Sequence, residues 1–190
     1  MFELSPVEWE AVHLSLKVGL WSMLLSLPPG FLIAYVLARF QFPLKSLISG
    51  LVYLPLVLPS VVTGMSLLLL FGARGPAGRF LSEVFGITLA FRWTGAALAA
   101  AIMGLPLMVR AMRISIEAVD RRLEMAARTL GAGWWRTFLT VTLPLSLPGV
   151  IAGAILSFAK SFGEFGATIT FVSNIPGETQ TLPIAIYSFL

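Results

Sequence analysis

The chain's 190 residues are 57% hydrophobic and only 12% charged, with a mean hydropathy of +0.91. Soluble domains carry about 25% charge, so this composition is that of an integral membrane protein. Thirteen Lys+Arg against nine Asp+Glu leave a net charge of +4, which in such a chain marks cytoplasmic loops rather than nucleic-acid binding. Cysteine is absent and His13 is the single histidine, so disulfides, thiolate metal sites and histidine-based clusters or triads drop out.

The amino terminus, Met1 to Glu10, carries three glutamates and no basic residue, the reverse of a secretory signal. Spanning a bilayer core as a helix takes about 20 apolar residues. Four segments approach or exceed that length: residues 11–38, interrupted by Pro28-Pro29-Gly30; 49–71, with Pro55 and Pro59; 94–109, with Pro106 near its end; and 145–167. A fifth starts at Leu182 and is incomplete at Leu190, so a further stretch of helix is expected beyond it. The fold expected is therefore all-α, a single polytopic bundle over residues 1–190. Proline at membrane depth requires neighbours or water to satisfy the freed carbonyls. The run Leu54-Pro55-Leu56-Val57-Leu58-Pro59 thus predicts a broken or kinked helix inside the bundle, one that lines a pathway or only aids packing. Gly149 and Gly153 have the spacing that lets two helix backbones approach closely.

Loop cations set the orientation. Arg39 and Lys45 follow the first segment, and Arg110, Arg113, Arg121, Arg122, Arg128 and Arg136 follow the third, making eight on one side. The other side has three, Arg74, Arg79 and Arg92. The eight-residue side is expected in the cytoplasm and the amino terminus outside.

The cytoplasmic loop, residues 114–144, is the most informative region. Leu123, Ala126, Ala127 and Leu130 follow i, i+3, i+4, i+7 and predict a short amphipathic helix. Gly131 and Gly133 give the backbone freedom to end it. Trp134, Trp135 and Phe138 are expected to start a second short helix at headgroup level, with Leu143-Pro144 closing the loop. Such a knob docks in a partner's groove or lies on lipid. Lipid-binding faces prefer bulky side chains, so the small Ala126-Ala127 pair suits a protein groove better.

Ala126-Ala127, three residues, Gly131, then Val141, Thr142 and Leu143-Pro144 resemble the EAA loop of ABC importer permeases. Met125 stands where that motif has glutamate, and Glu124 lies one place earlier. Leu54 to Pro59, Leu105 to Ala111, Ala126 to Ala132 and above all Gly163 to Thr179 are similar to molybdate importer permeases. Sulfate permeases resemble the same stretch. The resemblance implies a homodimer of permeases in the lipid of the plasma membrane, a cytoplasmic ABC ATPase dimer, and a soluble extracytoplasmic binding protein that delivers molybdate or tungstate. It implies a coupling helix comprising Glu124, Met125, Ala126, Ala127, Arg128, Thr129, Leu130, Gly131 and Ala132. Transport would proceed by alternating access, driven by nucleotide that binds two conformations unequally. The sequence holds no G-x-x-x-x-G-K-[ST] loop, so ATP and Mg are expected on the partner, with no cofactor on this chain and no catalytic or metal residues.

A dianion crossing low dielectric needs fixed cations or neutral donors and water. Lys160, Ser161, Thr168, Thr170, Ser173 and Asn174 are the candidate path residues. Lys160 is either a pore cation or the partner of Glu164 four residues on, and Glu164 is read as structural. Asn174-Ile175-Pro176-Gly177 has type II turn order. Two further classes compete. A membrane-embedded enzyme lacks convergent acids and bases here, and an ion-coupled transporter would be expected to show inverted repeats.

Overall fold

The computed structural model describes residues 5–189; Met1–Leu4 and Leu190, part of the expected bundle, lie outside the described residues. Ten α-helices are described: α1 Pro6–Arg39, α2 Lys45–Val57, α3 Ser60–Phe71, α4 Pro76–Phe85, α5 Trp93–Ala118, α6 Arg121–Thr129, α7 Trp134–Thr137, α8 Leu143–Phe162, α9 Gly166–Val172 and α10 Leu182–Phe189. Helix α1 starts with a capping box, in which the Ser5 amide donates to Glu8 at 2.6 Å and the Glu8 amide donates to the Ser5 hydroxyl at 3.3 Å.

Packing fixes the path of the chain. Near the start of α1, Leu14 and Val18 cluster with Ala96, Ala97, Ala99, Ala100 and Met103 of α5. Near its end, Ala34, Leu37 and Ala38 cluster with Met108, Val109, Met112 and Ile116. Helices α1 and α5 therefore run parallel. Helix α8 runs the other way: Gly149 faces Ser115, Gly153 faces Met108, and the Ser161 hydroxyl donates to the Ala100 carbonyl at 3.2 Å. A Cβ on Gly153 would sit 2.9 Å from the Met108 carbonyl oxygen, so the small residue is what permits this approach.

Three helical stretches are long and apolar enough to cross a membrane: Pro6–Arg39, Trp93–Ala118 and Trp134–Phe162. Because α1 and α5 are parallel, the chain between them must recross. The bent pair α2–α3 supplies that crossing, with an angle of 112° at the break. Among the described residues the chain is thus a multi-pass membrane protein with three spans, or four with the bent pair as one.

The structure differs from the sequence reading at three places. Pro28 and Pro29 do not interrupt α1, which is continuous from Pro6 to Arg39. The segment 49–71 does break where the Leu54–Pro59 run predicts it, with Leu58 before Pro59 extended at φ −72°, ψ 142°. Trp134 and Trp135 do not belong to a separate short helix. Helix α7 passes through a π-helical turn, Phe138–Thr142, straight into α8, so Leu143-Pro144 lies within helix rather than closing a loop. The fourth segment ends at Phe162, and 166–172 form the separate α9. Gly163 and Gly166 flank this break.

Candidate functional site

Helix α6 stands at the end of the bundle where α1 and α5 finish. Asp120 caps it, its carboxylate accepting the Arg122 amide at 2.9 Å. Its last turn closes as a Schellman motif: the Ala132 amide donates to Ala127 O at 3.1 Å and the Gly131 amide to Arg128 O at 3.0 Å. Gly131 takes φ +87°, the left-handed conformation the motif requires at this position.

Glu124 anchors the knob. Its Oε1 lies 2.7 Å from Arg39 Nη2 at the end of α1 and accepts the Thr142 hydroxyl of the π-helical turn, also at 2.7 Å. Both charged side chains are largely shielded, at 9% and 16% exposure. One carboxylate therefore joins α1, α6 and the base of α8 through charge-assisted bonds. Aromatic rings reinforce the joint: Tyr35 meets Phe138 edge-on at 5.4 Å, and Trp134 stacks on Phe138 at 5.8 Å. The opposite face is open. Leu123, Met125 and Leu130 are exposed, Leu130 to 88%, and Ala126 is exposed beside half-buried Ala127. Arg128 and Thr129 complete the rim. Within the expected coupling segment, Glu124 thus faces the bundle, Ala127 and Ala132 are half-buried, and the other residues are exposed. The sequence reading missed the anchoring roles of Arg39 and Thr142, because their separations of 85 and 18 residues from Glu124 leave no periodic signal.

The path candidates gather at the break between α8 and α9, with two exceptions. Lys160 Nζ lies 2.7 Å from Glu164 Oε2, so the pair proposed by spacing forms. Glu164 is 2% exposed, and its other oxygen accepts the Ala167 amide at 3.1 Å at the start of α9. Ser161 donates to Ala100 O, Thr168 to Phe165 O at 2.8 Å and Thr170 to Gly166 O at 2.6 Å. Those hydroxyls are engaged by main chain in this conformation. Ser173 and Asn174 lie beyond the far end of α9. Ser173 has φ +63°, and the Asn174 side-chain amide donates to Ser188 at 2.8 Å. Gly177, at φ +77°, completes the turn after Pro176.

This break rests against the other one. A Cβ on Gly166 would collide with the Ser60 hydroxyl, just after Pro59, and one on Gly64 would meet the Ala167 backbone. A groove of about 500 Å³ lies elsewhere, between α1 and α5. It is lined by apolar groups such as Trp21, Leu25, Trp93 and Leu98, a poor passage for an anion. Among the described residues no three His, Cys, Asp or Glu side chains come together to hold a metal.

The comparisons with known proteins agree with this architecture. A family model described as binding-protein-dependent transport system inner membrane component matches residues 30–190. The molybdenum transport system permease protein ModB of Escherichia coli (strain K12) is 59% identical over 187 residues, 98% of this chain and 82% of the relative. The sulfate transport system permease protein CysT of the same organism is 39% identical over 158 residues, covering 83% of this chain and 57% of the relative. A crystal structure of an amino acid ABC transporter with histidines superposes with a TM-score of 0.64 at 20% identity, covering 97% of this chain and 78% of that one, which speaks to the fold alone. With its match over most of its length, a broken-helix bundle and a free amphipathic knob at one end, the chain belongs to the binding-protein-dependent transport system inner membrane components, the permease subunits of ABC importers.

Proposed function

We propose that this chain is the membrane-spanning subunit of an ATP-driven importer that moves molybdate or tungstate into the cell. The observation that carries the cargo is the 59% identity to a molybdenum permease over nearly the whole chain. The sulfate permease, at 39% over a shorter stretch, supports sulfate or thiosulfate as the second reading. Two copies would flank the path in the plasma membrane, with the α6 end in the cytoplasm by the excess of positive charge and the amino terminus outside.

Residues Glu124 to Ala132 would couple the bundle to a cytoplasmic ATPase dimer that holds the ATP and Mg. No catalytic or cofactor-binding residue is assigned to this chain. A ligand drives a conformational change only through different affinity for two states. Closure of the ATPase pair on nucleotide would move the two knobs, and each knob would carry its bundle because Glu124 ties it to α1 and α8. A soluble binding protein would deliver the oxyanion at the opposite end, near Asn174 to Gly177. Lys160, Ser161, Thr168, Thr170, Ser173 and Asn174 are the path residues on this reading. The test is uptake of labelled molybdate into vesicles holding the full importer, with ATP and with unlabelled tungstate or sulfate as competitors. Uptake without ATP, or stronger competition by sulfate than by tungstate, would contradict the assignment.

A further inference from the structure

The break between α8 and α9 holds a feature that transport of an oxyanion would not by itself require: a buried acid beside the candidate path cation. Ser161 reaches Ala100, which lies about 10 Å in from the Trp93 end of α5 at the helical rise. The neighbouring Lys160–Glu164 pair is therefore within the membrane rather than in a surface loop. Glu164 is fully enclosed, whereas a third of the Lys160 side chain is open. A charged side chain at that depth faces a bundle interior or a water-filled cavity, not lipid tails. Lysine has three ammonium hydrogens, and Glu164 takes one at 2.7 Å. The carboxylate does not depend on Lys160 alone, since its second oxygen accepts the Ala167 amide.

We infer that Glu164 is a built-in substitute for the cargo: it neutralises Lys160 while the path is empty, and a tetrahedral oxyanion dianion displaces it from the ammonium during passage. This rests on the importer reading above and names the chemistry at its path. Binding the dianion then exchanges one ion pair for another and leaves two negative groups near one cation. The exchange recovers little free energy, because a buried pair is worth little against its desolvation. The site is weak by construction, and release stays fast. Freed from Glu164, the same cation would hold the anion more tightly.

The experiment measures equilibrium dialysis of labelled molybdate, and of sulfate in parallel, against the purified permease–ATPase complex without binding protein. Glu164→Gln keeps an oxygen acceptor for Ala167 and removes the charge. It should bind at least about tenfold more tightly than the unaltered complex, the scale of one charge-assisted hydrogen bond. Its vesicle uptake should fall at the same time. The double variant Lys160→Met/Glu164→Gln should lose the gain. Unchanged affinity in Glu164→Gln, or a gain that survives loss of Lys160, overturns the inference. If Glu164→Gln does not accumulate, Lys160→Met decides: the bare carboxylate should raise the KM for uptake at least about tenfold by repulsion, and wild-type uptake overturns it. ATP-driven uptake by the unaltered complex tests the parent reading separately, and the parallel sulfate arm keeps the displacement idea testable if the cargo assignment fails.

Discussion

Gly131→Val separates the shape of the coupling knob from the stability of the bundle. Gly131 has φ +87°, and no atom lies within 4 Å of where its Cβ would be. The substitution therefore meets open space, and its cost is conformational only. A non-glycine residue in this region costs about 1–2 kcal/mol, and a β-branched one sits at the upper end. That corresponds to a drop of about 5- to 30-fold in the equilibrium constant between the native turn and its alternatives. The two Schellman bonds, Ala132 to Ala127 and Gly131 to Arg128, go with it, while α1, α5 and α8 are untouched. ATP-driven uptake in proteoliposomes should fall, by at most about that factor, with the permease accumulating normally and the basal ATPase rate retained. Gly131→Asn should stay near wild type, because asparagine tolerates the left-handed region. Equal uptake for valine, asparagine and glycine at this position would refute the argument that the turn's geometry transmits the work.

Other perturbations probe other joints. Glu124→Ala should cost about 3 kcal/mol or more, because it strands the shielded Arg39 cation, whereas Arg39→Met/Glu124→Met should unfold at a temperature much closer to wild type; thermal unfolding in detergent checks both. Gly153→Leu should lower the unfolding temperature and the yield by overpacking worth at least about 1–3 kcal/mol, since the new Cβ would press on the Met108 backbone 2.9 Å away. Ala127→Trp should leave the bundle folded and reduce co-purification of the ATPase, because the knob's small face would no longer fit a groove.

Much of this architecture was legible in the residues, and the failures have a common cause. Apolar length located the crossings, and the Gly149/Gly153 spacing marked the close contact with α5. Gly131 announced its turn because glycine takes the left-handed conformation without strain. Proline guided correctly at the Leu54–Pro59 break and wrongly at Pro28-Pro29. Pro28, Pro29, Pro55, Pro106 and Pro148 all lie inside helices, whereas Pro59 follows the extended Leu58. A proline costs a helix about 3 kcal/mol, and burial of the α1 and α5 faces against each other outweighs that cost where packing is extensive. Helix α2 has no buried residue, so nothing holds the chain straight across Leu58-Pro59. The Arg39–Glu124–Thr142 joint was not legible, because it is made by three separate helices meeting. The Lys160–Glu164 pair was, because its four-residue spacing brings the side chains within reach, although Glu164 lies just past the end of α8.

The central claim is that work from an ATPase enters through the exposed face of α6. The sequence has no cysteine, so Leu130→Cys gives a single reactive site in this chain at the end of α6, where Leu130 is 88% open. A thiol-linked photocrosslinker there, in membranes carrying the whole importer, should join the ATPase and change its yield when nucleotide is bound. Adducts only to lipid, or labelling of that cysteine by an impermeant reagent added outside intact cells, would contradict the account.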